Sequence, residues 1–183
     1  MNKIFKSLIG ATSKPYRKKL TYLESTGTQK IDYFLQSSIG SEVKILADFL
    51  RLDPSQPINA FIFKITGPIG LFQCDYGTLY YTSSFRSVNH VISYNEEVKY
   101  ELSNGKEKIN NSIRTFPIQS VEFDHITIFL KFSFRLFSFK VLNGENIVSD
   151  LIPVLDRNNV PCLYDKKSKT FFYNEGSGTF NYN

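Results

Sequence analysis

The chain has 183 residues, of which 42% are hydrophobic and 21% charged, and it contains 17 Phe, 11 Tyr and no Trp. This length and balance predict one globular domain with a core of its own, and no apolar run approaches the roughly 20 residues of a membrane span. The first 19 residues carry a formal charge of +6 while the whole chain carries +5, so the rest is nearly neutral and has no basic excess with which to bind nucleic acid.

The basic segment predicts an N-terminal arm over residues 1–19, ahead of a domain over residues 20–183. Its apolar centre, Leu8 to Ala11, is too short for the roughly 7–15-residue core of a signal peptide. Arms of this charge pattern are interaction segments that attach to other surfaces. The residues that we expect to anchor it are apolar or basic, namely Ile4, Phe5, Leu8, Ile9, Arg17, Lys18 and Lys19.

Two other interpretations of the arm stay open, an ordinary frayed terminus and a weak membrane-surface segment. Under the anchoring hypothesis, deletion of residues 1–19 is expected to leave the melting temperature of the domain unchanged.

From Tyr22 onward the pattern is that of strands and turns. In "SEVKILADFL" the residues Val43, Ile45, Ala47 and Phe49 alternate with polar ones, which predicts a half-buried strand. Further strands are predicted in "AFIFKI", "IGLFQC", "TLYYTS", "RSVNHVISY", "VKYEL", "NIVSDLIPVL" and "TFFYN". The polar stretch Lys106 to Asn111, after the turn dipeptide Asn104-Gly105, is expected to be exposed.

The most apolar segment, "HITIFLKFSFRLFSFKVLNG", begins at His125. Its apolar residues change parity, since Phe134 and Leu136 are in phase with Ile126 whereas Phe139 is not. The segment is therefore either one central strand that is apolar on both faces or two strands with a phase slip. Ten to twelve short strands and no convincing helix predict an all-β sandwich or jelly roll.

Two blocks resemble a known family. "YLESTGTQKID" is similar to the "YIESTGTQYIDTG" opening of a domain in structural proteins of phages and prophages. The stretch that runs from "LFSFKV" through "SDLIPV" and "CLYD" to "NEGSGTF" resembles the ending of that domain. The resemblance implies a two-sheet antiparallel jelly-roll sandwich of the concanavalin A-like (laminin G-like) type, with its first and last strands side by side.

The sequence departs from the family pattern at two places. Tyr33 and Phe34 stand where the family has a Thr-Gly pair, and Ser149 stands where it has an arginine before the aspartate.

The "STGTQ" stretch at Ser25–Gln29 allows two interpretations, a loop that presents hydroxyls to a ligand or a turn that starts the domain. Because the resemblance places it near "NEGSGTF", and because Gly, Ser and Thr bond readily to nearby backbone, we favour the turn.

No catalytic, cofactor or metal motif is predicted. The laminarinase-type pattern Glu-x-Asp-x-x-Glu is incomplete, since Glu122 and Asp124 are followed by Thr127. His90 and His125 lie in no recognised motif, and Cys74 and Cys162 are expected to be buried, with their pairing left open. Because the chain has no Trp, stacking on a sugar would have to use tyrosine. The candidate glycan-binding residues are Tyr76, Tyr80 and Tyr81, and Tyr94 and Tyr100 are further tyrosines that could stack on a sugar.

The resemblance implies a non-enzymatic bacteriophage virion protein, a head decoration, head fibre or tail component. We expect a free-standing small protein, present in several copies, made in the bacterial cytoplasm and incorporated in the virion. Its partners would be other virion proteins, with no cofactor, nucleic acid or membrane. The alternative is an adhesin that binds a host-surface glycan, and a degraded glycosidase is the third possibility.

Overall fold

The computed structural model describes residues 14–52, 54, 61–74, 78–81, 86–89 and 92–183. Strands account for 62% of them and no helix is present, so the predicted all-β class is confirmed for this part of the chain. With no helix described, there is also none long and apolar enough to cross a membrane. The described strands are β1 (Lys18–Lys19), β2 (Leu23–Thr26), β3 (Ile31–Ile39), β4 (Val43–Arg51), β5 (Phe61–Thr66), β6 (Leu71–Cys74), β7 (Thr78–Tyr81), β8 (Arg86–Asn89), β9 (Glu97–Ser103), β10 (Lys106–Ile109), β11 (Ser112–Thr115), β12 (Phe123–Leu130), β13 (Ser133–Asn143), β14 (Asn146–Leu155), β15 (Pro161–Asp165), β16 (Phe171–Phe172) and β17 (Asn181–Tyr182).

These strands form two antiparallel sheets. The large sheet has the order β11-β10-β9-β4-β13-β14-β15-β16, with β1 paired to β14, β2 to β13, and β17 to β2. The small sheet has the order β3-β12-β5-β6-β7-β8. One hydrophobic core joins the two sheets, and the Phe63 ring of the small sheet contacts the rings of Tyr100 and Phe139 of the large one at centroid distances of 5.4 and 5.6 Å.

The high phenylalanine content is explained by this core. The largest fully buried side chains are led by eight phenylalanines, at positions 49, 63, 72, 123, 129, 132, 134 and 139. Each contributes about 1.5–3 kcal/mol through burial. The predicted alternation in β4 is also confirmed, because Val43, Ile45, Ala47 and Phe49 all face the core.

The apolar segment that begins at His125 forms two strands, which confirms the alternative of two strands over that of one central strand. β12 belongs to the small sheet and β13 to the large one. Near the end of β12, Phe129 adopts a left-handed backbone conformation with φ of 68°, and Lys131, just after the strand, does so with φ of 55°; both depart from extended geometry. The chain therefore crosses from one sheet to the other at this point.

A β-bulge in β13 explains the remaining change of parity. The register with β4 shifts between Leu136 and Ser138, so Phe137 is an extra residue in the strand. Leu136 and Phe139 are both buried on the core side, while Phe137 and Ser138 are half-buried on the outer face. The bulge thus directs an aromatic ring and a hydroxyl to the same outer surface.

One segment that we expected to be exposed is in fact a strand of the sandwich. Lys106–Ile109 forms β10, in which Glu107 is fully buried and Ile109 is 5% exposed. The sequence pattern did not predict this strand, because one of its core-facing side chains, Glu107, is a carboxylate where the pattern requires an apolar residue. Strand β15, at "PCLYD", was likewise not predicted, and its pairing with both β14 and β16 maintains it.

The sandwich begins before Leu20. The backbone N–H of Arg17 donates to Leu155 O at 2.9 Å, and Lys18 and Lys19 pair with β14. The ring of Tyr16 contacts that of Tyr164 at 5.4 Å and covers a small second apolar cluster. The last four residues of the predicted arm therefore either pair with the sheet or pack on it. Deletion of residues 1–19 is for this reason no longer expected to leave the melting temperature unchanged.

We expect two truncations to behave differently. Removal of residues 1–19 should lower the melting temperature by a few degrees, because it removes β1 and the Tyr16 contact, worth roughly 1–2 kcal/mol. Removal of residues 1–13 should leave it unchanged. Thermal unfolding of the two proteins beside the full chain measures this, and equal melting temperatures for both truncations would show that β1 contributes nothing.

Candidate binding groove

A groove with a cavity volume of about 450 Å³ runs across the outer face of the large sheet. Strand alternation creates it, since the core takes every second residue of β4 and β9 and the residues between them, most of which are polar, point outward. Strands β10 and β13 complete it on either side. Its principal polar side chains are those of Asp48, Lys99, Glu101, Lys108, Ser138 and Lys140.

The carboxylates of the groove are engaged by neighbours. Asp48 Oδ2 accepts a hydrogen bond from Ser138 Oγ at 2.8 Å, and Glu101 Oε1 lies 3.2 Å from Lys44 Nζ. Within the described residues, Lys99, Lys108 and Lys140 form no ion pair. The groove therefore presents ammonium groups whose charge is available to a ligand.

A turn fixes one rim of the groove. Asn110, with φ of 51°, accepts a hydrogen bond from the Lys99 N–H at its Oδ1 atom, at 2.8 Å. Its own N–H donates to Lys99 O, also at 2.8 Å. These two bonds hold the β10–β11 turn against β9, so the neighbouring amide of Asn111 lines the groove from a constrained position.

Aromatic side chains bound the end of the groove opposite this turn. A second cavity of about 270 Å³ shares Asp48 and Lys99 with the groove and is bounded by Phe137. The ring of Tyr22 packs edge-on against Phe137, with centroids 6.2 Å apart, and the guanidinium of Arg135 lies 4.5 Å from the Tyr22 ring centroid. Ring surface beside hydroxyl, amide and ammonium groups is the combination that binds small polar ligands such as sugars.

The tyrosines predicted from the sequence do not form this site. Tyr81 is 5% exposed and packs against Phe116 in the core, so its prediction as a sugar platform is corrected. Tyr100 is 2% exposed and equally closed to stacking. Tyr76 lies outside the described residues, as does the side chain of Tyr80.

The predicted anchor residues divide into two groups. Ile4, Phe5, Leu8 and Ile9 lie outside the described residues. Arg17, Lys18 and Lys19 are described, and all three are exposed on the pairing segment. The Arg17 guanidinium donates to Asn159 Oδ1, which ties the start of the segment to the turn after β14.

Thr127, the residue that stands in place of the third carboxylate of the hydrolase pattern, belongs to a polar cluster on the outer face of the small sheet. Thr127 Oγ1 donates to Asp32 Oδ1 at 2.9 Å, and Lys30 Nζ lies 2.7 Å from Asp32 Oδ2. His125 Nε2 contacts the same carboxylate, and the ring of Phe34, 73% exposed, stacks on His125. Burial would raise the pKa of Asp32, but the Lys30 and Thr127 hydrogen bonds and the nearby positive charge lower it below its ordinary value of 3.8.

Replacing Asp32 by Asn is expected to destabilise the protein at neutral pH by about 1 kcal/mol through loss of its charged hydrogen bonds. Because the pKa of Asp32 is lower in the folded state, its contribution is present above about pH 4 and is lost as the pH falls through the lowered pKa. Urea unfolding between pH 2.5 and 7 should therefore show the difference shrinking in acid. Asp124→Asn, on the neighbouring strand β12, is the control, and a pH-independent difference for Asp32→Asn would contradict the assignment.

The "STGTQ" stretch is a structural turn. Ser25 is fully buried and Gln29 is 2% exposed. Gln29 Oε1 accepts from the Thr26 N–H at 2.8 Å and from Ser25 Oγ at 3.1 Å, while Gln29 Nε2 donates to Thr179 O at 3.0 Å. The Ser25 hydroxyl and the Gln29 amide are thus used internally, and Gln29 joins this turn to the "NEGSGTF" turn as predicted.

Tyr33 and Ser149, two positions at which the sequence departs from the pattern that it resembles, contact each other. Tyr33 OH lies 3.2 Å from Ser149 Oγ, and Ser149 Oγ donates to Asp165 Oδ2 at 3.3 Å. Burial raises the pKa of Tyr33 far above its ordinary value. Asp165 also accepts from the backbone N–H groups of Asp150 and Lys167, so the "LYD" aspartate holds the β14–β15 region together.

The two cysteines are not joined to each other. Cys74 and Cys162 are both buried and form no disulfide bond. Burial raises the pKa of Cys162 to about 12. Among the described residues, no three His, Cys, Asp or Glu side chains are placed to hold a metal ion.

Together these features define an all-β protein of two packed antiparallel sheets with a polar groove on the outside of the larger one. A scan against protein-family models and a search of curated proteins gave no match to the chain.

Proposed function

We propose that this protein is a non-enzymatic structural protein of a bacteriophage particle. One observation carries the proposal. The two blocks that resemble the phage domain are more than 100 residues apart in sequence, yet they adjoin in the fold, where Leu23 pairs with Leu136 and the Ser177 N–H donates to Thr28 O at 3.0 Å. Gln29 of the first block also bonds to Thr179 of the second. This arrangement is what a single shared structural unit requires, and it supports the resemblance.

The body of the protein is a jelly roll of the concanavalin A-like type in this proposal. Two antiparallel sheets around one core, with the last strand β17 paired to the early strand β2, support that assignment. The protein is a head decoration, a head fibre or a tail component, present in several copies, made in the host cytoplasm and retained in the virion.

The segment before Tyr16 is the tether to a neighbouring virion subunit. Arg17 to Lys19 fix where it leaves the sandwich, because they pair with β14 beside the turn that contains Asn159. Apolar side chains ahead of that point, Ile4, Phe5, Leu8 and Ile9, would enter the partner, and the positive charges would orient docking on an acidic surface.

Co-expression with the structural proteins of a candidate particle tests this proposal. Removal of residues 1–13 should leave a folded protein that no longer joins purified particles, whereas the full chain joins at normal copy number. A matched variant that keeps every charge and replaces Ile4, Phe5, Leu8 and Ile9 by Ser should also fail. Normal incorporation of both variants would place the anchor elsewhere and overturn the tether.

A glycan-binding adhesin is the second candidate, and the groove favours it. The outer face of the large sheet combines free ammonium groups, constrained amides and the half-buried Phe137 ring, all accessible from solvent. A virion protein that binds a host-surface polysaccharide would satisfy both candidates.

A further inference from the structure

We infer that the groove of the large sheet binds an acidic saccharide, one that carries carboxylates such as a uronic acid. The inference rests on the second candidate function, glycan binding, and assigns the charge class of the ligand. It is carried by the order of the side chains across the strands, by their charges and by their partners.

Strand register places the groove side chains in two rows. The first row reads Lys108, Glu101, Leu46, Lys140 across β10, β9, β4 and β13. Neighbouring strands are about 4.8 Å apart, so its two lysines are separated by roughly 14 Å at the backbone. That span holds a short run of sugar rings across the strands.

The second row contains Lys99, Asp48 and Ser138 on β9, β4 and β13, with Asn110 bonded to the β9 end. Lys99 therefore lies between the two lysines of the first row, one row further along the strands. Three ammonium groups at the corners of one groove can each meet a separate carboxylate of an acidic oligosaccharide.

The charge balance favours an anionic ligand. Glu101 is already matched by Lys44, and Asp48 accepts a hydrogen bond from Ser138. Lys99, Lys108 and Lys140 have no ion-pair partner among the described residues, so the excess charge in the groove is positive. Charged hydrogen bonds to a carboxylate are stronger than neutral ones and would dominate the affinity.

The same face also offers acceptors for sugar hydroxyls. The two carboxylates, Asp48 and Glu101, lie between the lysines, where they can accept hydrogen bonds from the hydroxyl groups of a saccharide. The half-buried ring of Phe137, at the end of the second row, offers a face for the apolar side of a sugar.

The test is calorimetric titration of the full chain with oligogalacturonate as the acidic probe and a neutral dextran oligomer of equal length. The acidic probe should bind, with affinity that falls as salt rises, and the neutral one should bind at least about tenfold more weakly. Joint replacement of Lys99, Lys108 and Lys140 by Gln should weaken acidic binding by at least about tenfold, through lost charged hydrogen bonds.

The matched control replaces Lys131, Lys167 and Lys169, three exposed lysines outside the groove, by Gln. It should bind as the parent does, and both triple variants should keep the parent melting temperature. Binding of dextran and oligogalacturonate alike, unchanged in the groove variant, would overturn the acidic assignment and leave glycan binding standing. No binding of either probe would overturn both. Single-stranded DNA is titrated as a third probe, and tighter binding of DNA than of oligogalacturonate would assign the groove to nucleic acid instead.

Discussion

Replacing Gly176 by alanine is expected to destabilise the protein by about 2–4 kcal/mol, a fall in melting temperature of roughly 5–15 °C. A Cβ atom at Gly176 would lie 2.2 Å from Thr28 O and 3.0 Å from Lys30 N, both of them backbone atoms. Thr28 O accepts the Ser177 N–H and Lys30 O accepts the Glu175 N–H, so the two terminal turns would have to separate. The clash therefore breaks the junction between the first and last parts of the large sheet.

Gly40→Ala is the matched control, because the nearest atom to an added Cβ at Gly40 is Val121 O at 3.9 Å. Differential scanning calorimetry of the two variants beside the parent measures the effect. Equal melting temperatures for all three would show that the junction yields without cost, and the turn would then contribute little to the fold.

Replacing Tyr100 by alanine is expected to cost about 3–5 kcal/mol. Tyr100 is buried between Phe49 and Phe63, and its hydroxyl donates to Oε1 of the fully buried Glu107 at 2.6 Å. The substitution opens a cavity in the core and removes a donor from a carboxyl group that water does not reach.

Tyr100→Phe separates these two causes, because it keeps the ring and removes only the hydroxyl. It should cost about 1–3 kcal/mol, the effect of the lost hydrogen bond. Combining it with Glu107→Leu should cost less than the sum of the single changes, since both partners of the buried bond are then absent. Chemical unfolding in a double-mutant cycle measures the coupling, and strictly additive losses would mean that the bond contributes nothing.

Much of the architecture could be predicted from local pattern. The alternation of Val43, Ile45, Ala47 and Phe49 predicts β4 with the correct inward face, because a strand directs successive side chains to opposite sides. The meeting of the two Gly- and hydroxyl-rich turns was implied by the resemblance and not by local pattern, and the Gln29–Thr179 and Ser177–Thr28 hydrogen bonds confirm it. Phenylalanine richness without a helical period was enough to indicate an all-β core.

Other features depend on pairing between distant strands and leave no local trace. The bulge that brings Phe137 to the outer face exists only in the register between β13 and β4, which are some 90 residues apart. From sequence alone Glu107 is expected to be exposed. It is buried because the pairing of β10 with β9 brings it to the Tyr100 hydroxyl, which donates a hydrogen bond to it. A charged residue follows the solvent-facing pattern unless a buried partner compensates for its desolvation, and sequence pattern does not show the partner.

The candidate groove belongs wholly to the second category. Lys108, Lys99 and Lys140 come from three strands, and no spacing in the sequence brings them together. The sequence by itself determined which residues alternate inward and outward, because that period is a property of the single strand. The tertiary structure decided which outward residues face one another, because long-range hydrogen bonding sets the register and the order of the strands.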